Sequence, residues 1–360
     1  MGQGTTGGRR IVASVAALRH DGPVDPVEAL QRIAFELERR RESTYRVQAY
    51  RKAAWALSAL DPEEVRQRAG RGTLTDLPQV GPKTAAVAEE AAAGGEPAYL
   101  TQLLAERRPL AEGGEVMREA LRGDLHTHSS WTDGGSPPEE MAAAYLQVGH
   151  EYAALTDHSP RLTVARGLSP ERLREQVELV GAINERVAPF RVLTGIEVDI
   201  LDDGSLDQED DLLAELDVVV ASVHSKLGMD RAAMTRRMVA AVSNPRTDVL
   251  GHCTGRLVTG DRGQRKQSVF DPDAVFEACL AHDTAVEINS RPEREDPPDE
   301  LLALALGLGC LLSIDSDAHA PGQLDFLDHG CARAVAHGVP VERVVNSWAL
   351  EDLLAWTREH

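Results

Sequence analysis

The sequence has no apolar run approaching the ~20 residues that a helix needs to cross a bilayer. Its one N-terminal apolar piece, residues 11–18, follows Arg9 and Arg10. That piece is short and lacks a convincing cleavage site, which excludes a secretory signal. The opening Met1-Gly2-Gln3-Gly4-Thr5-Thr6 fits a myristoylation pattern only formally, within a Gly/Thr-rich tail. Cysteine is scarce: Cys253, Cys279, Cys310 and Cys331 form no Cys-x-x-Cys pair and no regular framework. That excludes a disulfide scaffold and implies reduced thiols and a cytoplasmic home. Positive charge is what the second part of the chain has too little of. Of 38 Lys+Arg and 58 Asp+Glu, residues 1–110 hold 16 and 14, leaving 22 against 44 for residues 111–360. The chain therefore reads as two domains with different tasks. The acidic one repels polyanions unless bound cations or a basic neighbour offset it.

What is present comes in a regular order. Residues 1–22 read as a disordered tail. Residues 23–107 read as a small all-α domain. Its first helix carries Ala29, Leu30, Ile33, Ala34 and Leu37 at 3–4 spacing, and a second carries Tyr45, Val47, Tyr50, Ala54 and Leu57. Asp61-Pro62 caps a third helix. A turn, Val80-Gly81-Pro82, then separates a short helical piece from a helix starting at Lys83. Such a helical hairpin either holds a DNA phosphate on backbone N–H groups or serves packing alone. In the first case Val80, Gly81, Lys83 and Thr84 are its candidate DNA contacts. A linker over 108–122 carries a predicted helix at 111–121.

From residue 123 onward, strand-like apolar runs end in polar clusters: LRGDLHTH, YAALTDHS, FRVLTGIEVDI, LDVVVASVHS, TDVLGHCTG, DTAVEINS and CLLSIDSDAH. Amphipathic helical stretches separate most of them. Seven such units predict parallel strands closing into an α/β barrel, whose active residues sit at the C-terminal strand ends. Six of the twelve histidines fall at those ends: His126, His128, His158, His224, His252 and His319. Asp133, Glu197 and Asp317 join them. In an extended chain, residues two apart share a face, so His126 and His128 aim two imidazoles one way. Six histidines and three carboxylates form a nitrogen-and-oxygen donor set suited to Zn, Mn or Fe, without the thiolates of a structural zinc site.

The His-x-His run with Asp133, Thr156-Asp157-His158, GIEVDI, SVHS, HCTGR, EIN and SDAH resemble the PHP (polymerase and histidinol phosphatase) family. The likeness covers residues 123–348 and is nearest to the PHP domains of bacterial X-family DNA polymerases. It implies a distorted (β/α)7 TIM-like barrel over 123–360 holding three divalent ions. The first would take His126, His128, Glu197 and Asp317. The second would share Glu197 and add His224 and His252, and the third would take Asp133, His158 and His319. Cys253 departs from the family, where proline commonly follows the histidine, and raises the question of loop rigidity or redox sensitivity. Residues 26–104 resemble the N-terminal helix-hairpin-helix domain of the same polymerases. The family's lyase lysine would fall near Val87, and valine cannot form a Schiff base, so no lyase activity is expected. No aspartate-bearing palm fits between Leu104 and Gly123 or follows later, so no polymerase activity is expected either.

The resemblance implies a phosphate-ester hydrolase working by a metal-activated hydroxide, with Glu197 and Asp317 as catalytic carboxylates. Asp157 either orients a metal ligand from behind or is a capped loop acid. Lys226, Arg256 and Arg291 lie just past strand ends. They either grip phosphate oxygens or are solvated loop cations. The leading expectation is action on DNA ends, as a 3′–5′ exonuclease or 3′ phosphatase. The alternative is a small-molecule phosphomonoesterase such as histidinol phosphatase. A third reading, an inactive DNA-binding adaptor, conflicts with the filled ligand positions. No membrane partner is expected.

Overall fold

The computed structural model describes residues 24–259 and 263–359, so the tail expected over 1–22 lies outside them. The described chain divides into two units. One runs to Pro109 and includes Ala320–Gln323; the other takes Leu110–His319 and the residues from Leu324.

The first unit contains α1 (Pro26–Arg39), α2 (Thr44–Ser58), α3 (Pro62–Arg71), α4 (Pro82–Ala92) and α5 (Ala98–Ala105). Asp25 caps α1 by accepting the N–H of Val27 at 2.8 Å, and Asp61 caps α3 from Glu63 at 2.9 Å. The predicted stripe of α1 is buried, and it shares one core with Val47, Tyr50, Ala54 and Leu57 of α2. Tyr45 does not join them and is 88% exposed. The stripe runs 47, 50, 54, 57, and a position two residues before Val47 points to the other side of the helix. Glu38 and Arg51 form a buried two-pronged ion pair, with bonds of 2.8 and 2.7 Å.

The helical piece ahead of the hairpin is a single 3-10 turn, Leu74–Asp76. At the hairpin, the Gly81 N–H donates to Thr84 Oγ1 at 3.0 Å. Val80 and Thr84 are buried while Lys83 is exposed. Of the four candidate DNA contacts, Lys83 alone offers a side chain to solvent; Val80 and Thr84 instead build the turn. Val87 lies in the same apolar core.

In the second unit the predicted 111–121 helix shrinks to α6 (Glu115–Ala120). Gly113, at φ +87°, sits where a helix cannot continue. The linker expected over 108–122 thus falls from Leu110 onward within the barrel unit. The barrel follows as β1 (Gly123–Asp124), α7 (Pro138–Val148), β2 (Tyr152–Leu155), α8 (Pro170–Val187), β3 (Arg191–Asp199), α9 (Asp210–Leu213), β4 (Val218–Ser222), α10 (Arg231–Val242), β5 (Val249–Leu250), α11 (Pro272–Ala281), β6 (Ala285–Asn289), α12 (Asp299–Leu308), β7 (Leu312–Asp315), α13 (Leu327–Ala336) and α14 (Leu350–Trp356). The seven strands are parallel and neighbours in chain order. Among the described residues, the ring is brought together by a parallel bridge between Thr127 and Ala318, where the His128 N–H donates to Ala318 O at 2.8 Å.

Alternation along the strands sorts side chains. Val219, Ala221, Ile196, Val198, Val286, Ile288, Leu312 and Ile314 pack with helix residues. The other register starts apolar, with Tyr152, Ala154, Leu193, Val218, Val220 and Ala285 in one cluster with Val345, Leu353 and Trp356. Two or four residues further on, the same register reaches His158, Glu197, His224 and Glu287. One face of β2, β3, β4 and β6 is thus core at its start and chemistry at its end. No helix among the described residues is long and apolar enough to cross a membrane. All four cysteines are free and buried.

His150, after α7, is buried beside Arg118, whose Nη1 lies 3.3 Å from its Nε2. Burial, with Arg118 adding to it, pushes the imidazole down to about 3. The unfolded chain, with an ordinary histidine pKa, binds the proton first. Stability from this residue is complete above about pH 6.5 and declines as pH falls toward 3, by about 2 kcal/mol at pH 5. Replacing it (His150→Gln) is expected to flatten the acid limb of urea-unfolding stability between pH 7 and 4. An unchanged limb would refute the assignment.

Candidate metal centre

All nine predicted ligands arrive at one end of the barrel. β1 is only two residues long, so His126 and His128 lie beyond it, on extended chain either side of the closing Thr127–Ala318 bridge. A second isolated bridge sets His158 beside Glu197. Glu197 is the hub. Its Oε1 lies 2.8 Å from His252 Nε2 and 3.1 Å from His224 Nε2. Its Oε2 lies 2.8 Å from His158 Nδ1, 3.3 Å from His126 Nε2 and 3.6 Å from His128 Nε2. Asp317 approaches His128 Nε2 at 3.4 Å. Asp133 faces His158 Nε2 at 3.4 Å and His319 Nε2 at 3.5 Å.

The donor atoms converge in four overlapping groups, each within 4.8 Å: His128, Asp133, His158 and His319; His126, His128 and Asp317; His126, Glu197 and His252; and His158, Glu197 and His224. The second and first contain the ligand sets expected for the first and third ions, apart from Glu197 in one and an added His128 in the other. His224 and His252 fall into separate groups that meet at Glu197.

Several of these atoms are buried and make no hydrogen bond: His126 Nε2, both nitrogens of His128, His158 Nδ1, His224 Nδ1, His252 Nδ1 and Glu197 Oε2. Of these, His126 Nε2, His128 Nε2 and His158 Nδ1 all face Glu197 Oε2; orphaned buried atoms so arranged are costly unless something binds them, and a divalent cation fits them. The charges agree. Burial opposes ionisation of Glu197, yet His224, His126 and His158 hold it well below the usual carboxylate range. Asp317 is likewise buried but held low by Arg294 and His126. His128 is pushed down to about 3 by burial and by His319 and His158, which keeps one lone pair free for a metal.

The supporting residues are less legible. Asp157 does not reach a histidine ring. It accepts the Ser129 N–H at 2.9 Å, the Ser129 hydroxyl at 2.5 Å, Gln176 Nε2 at 2.7 Å and the Thr132 hydroxyl. It therefore ties down the loop that carries Asp133. Lys226 is exposed and paired with Asp202. Arg256 is turned back onto the carbonyls of Arg294 and Glu295. Arg291 does reach the centre: Nη1 donates to Asp317 O at 3.0 Å and lies 2.9 Å from His319 Nδ1. Cys253 is buried with its thiol pushed well up, by burial first and then Asp296, so it is no reactive thiolate.

Sequence reasoning missed Arg294, whose Nε donates to Asp317 Oδ2 at 3.0 Å, and Glu287, which contacts His126 Nδ1 at 2.6 Å. Arg294 has no local signature in RPERE. Glu287 lies two residues before Asn289 on the inward register of β6, and that period could have found it.

Comparison with known proteins agrees with this geometry. Residues 24–97 match the family model of a helix-hairpin-helix domain and residues 124–290 that of the PHP domain. The DNA polymerase/3'-5' exonuclease PolX of Bacillus subtilis is 39% identical over 240 residues, which is 67% of this chain but 41% of that protein. The chain thus spans about two fifths of that relative's length. A "Probable phosphatase" of Edwardsiella ictaluri is 30% identical over 240 residues, 62% of this chain and 89% of its own length. The solved histidinol phosphate phosphatase of Lactococcus lactis, complexed with zinc, L-histidinol and phosphate, aligns over 56% of this chain and 87% of its own, with 17% identity and a TM-score of 0.39. With nine converging donors on a seven-stranded parallel barrel and these matches in sequence, the chain belongs to the PHP-domain family and carries a helix-hairpin-helix domain before its barrel.

Proposed function

We propose that this chain is a metal-dependent phosphoesterase that trims DNA ends, as a 3′–5′ exonuclease or 3′ phosphatase. The hydrolase part rests on the convergence of His126, His128, Asp133, His158, Glu197, His224, His252, Asp317 and His319 at one end of the barrel. Zn, Mn or Fe, up to three ions, suits those donors. Divalent cations held there supply Lewis-acid polarisation of the phosphate and a nucleophile at neutral pH. Glu197 and Asp317 hold the centre, and Arg294 fixes the Asp317 carboxylate by donating to it. Arg291, at the edge of the cluster, is the cation placed to meet a non-bridging phosphate oxygen.

The DNA part rests on the helix-hairpin-helix match over residues 24–97 on the same chain. The B. subtilis relative, named as a 3'-5' exonuclease, supports it. Lys83 at the start of α4 is the exposed cation of that element. The second reading, hydrolysis of a small phosphomonoester, is favoured by the acidity of residues 111–360 and by the relative named a phosphatase.

The deciding experiment offers a 3′-recessed duplex, a 3′-phosphate oligonucleotide and histidinol phosphate side by side with Mn, with Asp317→Ala as the control. Release of 5′-mononucleotides or of the 3′ phosphate is expected. Turnover of histidinol phosphate alone would overturn the DNA reading and favour the second.

A further inference from the structure

Glu287 sits on β6 with no exposed surface and belongs to none of the four donor groups. Both of its oxygens are engaged. Oε1 lies 2.6 Å from His126 Nδ1, and Oε2 accepts the backbone N–H of His252 at 2.5 Å and Asn289 Nδ2 at 3.2 Å. Asn289 in turn donates to Asp317 Oδ2 at 3.1 Å. One buried carboxylate therefore touches two candidate ligands directly and a third through an amide.

We propose that Glu287 is a positioning residue of the metal centre: it holds the His126 ring in the Nδ1–H tautomer and pins the backbone of His252. A neutral imidazole has one N–H and one lone pair. With the proton drawn to Nδ1 by Glu287, the lone pair of His126 lies on Nε2. That atom is the one facing Glu197 at 3.3 Å and lacking any hydrogen bond. The short contact to a carboxylate also raises the basicity of the ring as a ligand.

His252 supplies an independent observation. Its φ is +21°, a backbone region that L residues rarely occupy and that persists only when its surroundings enforce it. The bond from its N–H to Glu287 is such an enforcement. It fixes where the His252 ring enters, 2.8 Å from Glu197. His126 and His252 share one donor group with Glu197, so Glu287 orients two members of that group from behind.

The inference rests on the metal-centre reading and is independent of which phosphate ester is cleaved. Its test is metal affinity, measured by competition with a chelator, and ion count by plasma mass spectrometry. The near-isosteric Glu287→Gln keeps the volume but replaces one acceptor by a donor. Affinity is expected to fall about 10–100-fold, with the ion count at saturation unchanged. In a His126→Ala background the same substitution is expected to cost markedly less, because the ring it serves is gone.

A lower ion count at saturation would make Glu287 a ligand and overturn the proposal. So would unchanged affinity, or an equal loss in the two backgrounds. Nitrogen-15 spectra of histidine-labelled, metal-loaded wild-type chain give a check that needs no variant. The His126 proton is expected on Nδ1, and a proton on Nε2 would overturn the assignment. A wild-type chain that binds no divalent ion would sink the metal-centre reading with it. Inactivity toward DNA alone would leave both standing.

Discussion

Replacing Glu197 by Gln is expected to lower turnover of the best phosphate ester by more than the ~100-fold that losing a group behind a ligand costs. Gln has almost the same size, so the barrel keeps its packing. What changes is the one carboxylate whose two oxygens lie within 3.6 Å of five imidazoles. An amide oxygen is a poorer ligand than a carboxylate oxygen, and the amide NH2 ligates nothing. The variant also loses the negative charge that offsets neighbouring cations. Ion count should fall together with kcat. A Glu197→Gln chain with near wild-type turnover would remove Glu197 from the centre altogether.

Removing the metal should have the next largest effect, on stability. A ligand present at a thousand times its Kd stabilises the folded state by about 4 kcal/mol. In a domain the size of this barrel, each kcal/mol moves Tm by roughly 2–4 °C. One tightly held ion is therefore worth about 8–16 °C. The physical source is local: the orphaned nitrogens and Glu197 Oε2 are buried and bonded to nothing else. Thermal melts before and after chelation, then with metal restored, measure this. A melt indifferent to chelator would mean that the donors are satisfied some other way.

The barrel and most of its nine donors were legible because the strand-like runs read alike, apolar at the start and His, Asp, Glu or Asn at the end. Glu197, His224 and His158 need only the period of two and the end of a strand to be found. The alternatives left open were those where function depends on a partner distant in sequence. Lys226 and Arg256 stand past strand ends as Arg291 does. Only the fold reveals that Asp202 and the 294–295 carbonyls claim the first two. Asp157 adjoins His158 in sequence, yet a loop acid and a ligand support differ only in which way the carboxylate turns. Glu287 lay in plain view in EIN, but its partners are 161 and 35 residues away. Val80 and Thr84 were candidates for their backbone N–H groups, and the fold buries both side chains.

The two faces of His158 carry one more consequence. Its Nε2 looks toward Asp133 and its Nδ1 toward Glu197, and the ring belongs to two donor groups at once. A neutral imidazole has a single lone pair, so it can serve one side only while its proton occupies the other. His158 is thus the ring through which the Asp133 group and the Glu197 group are joined, and a change there would reach both.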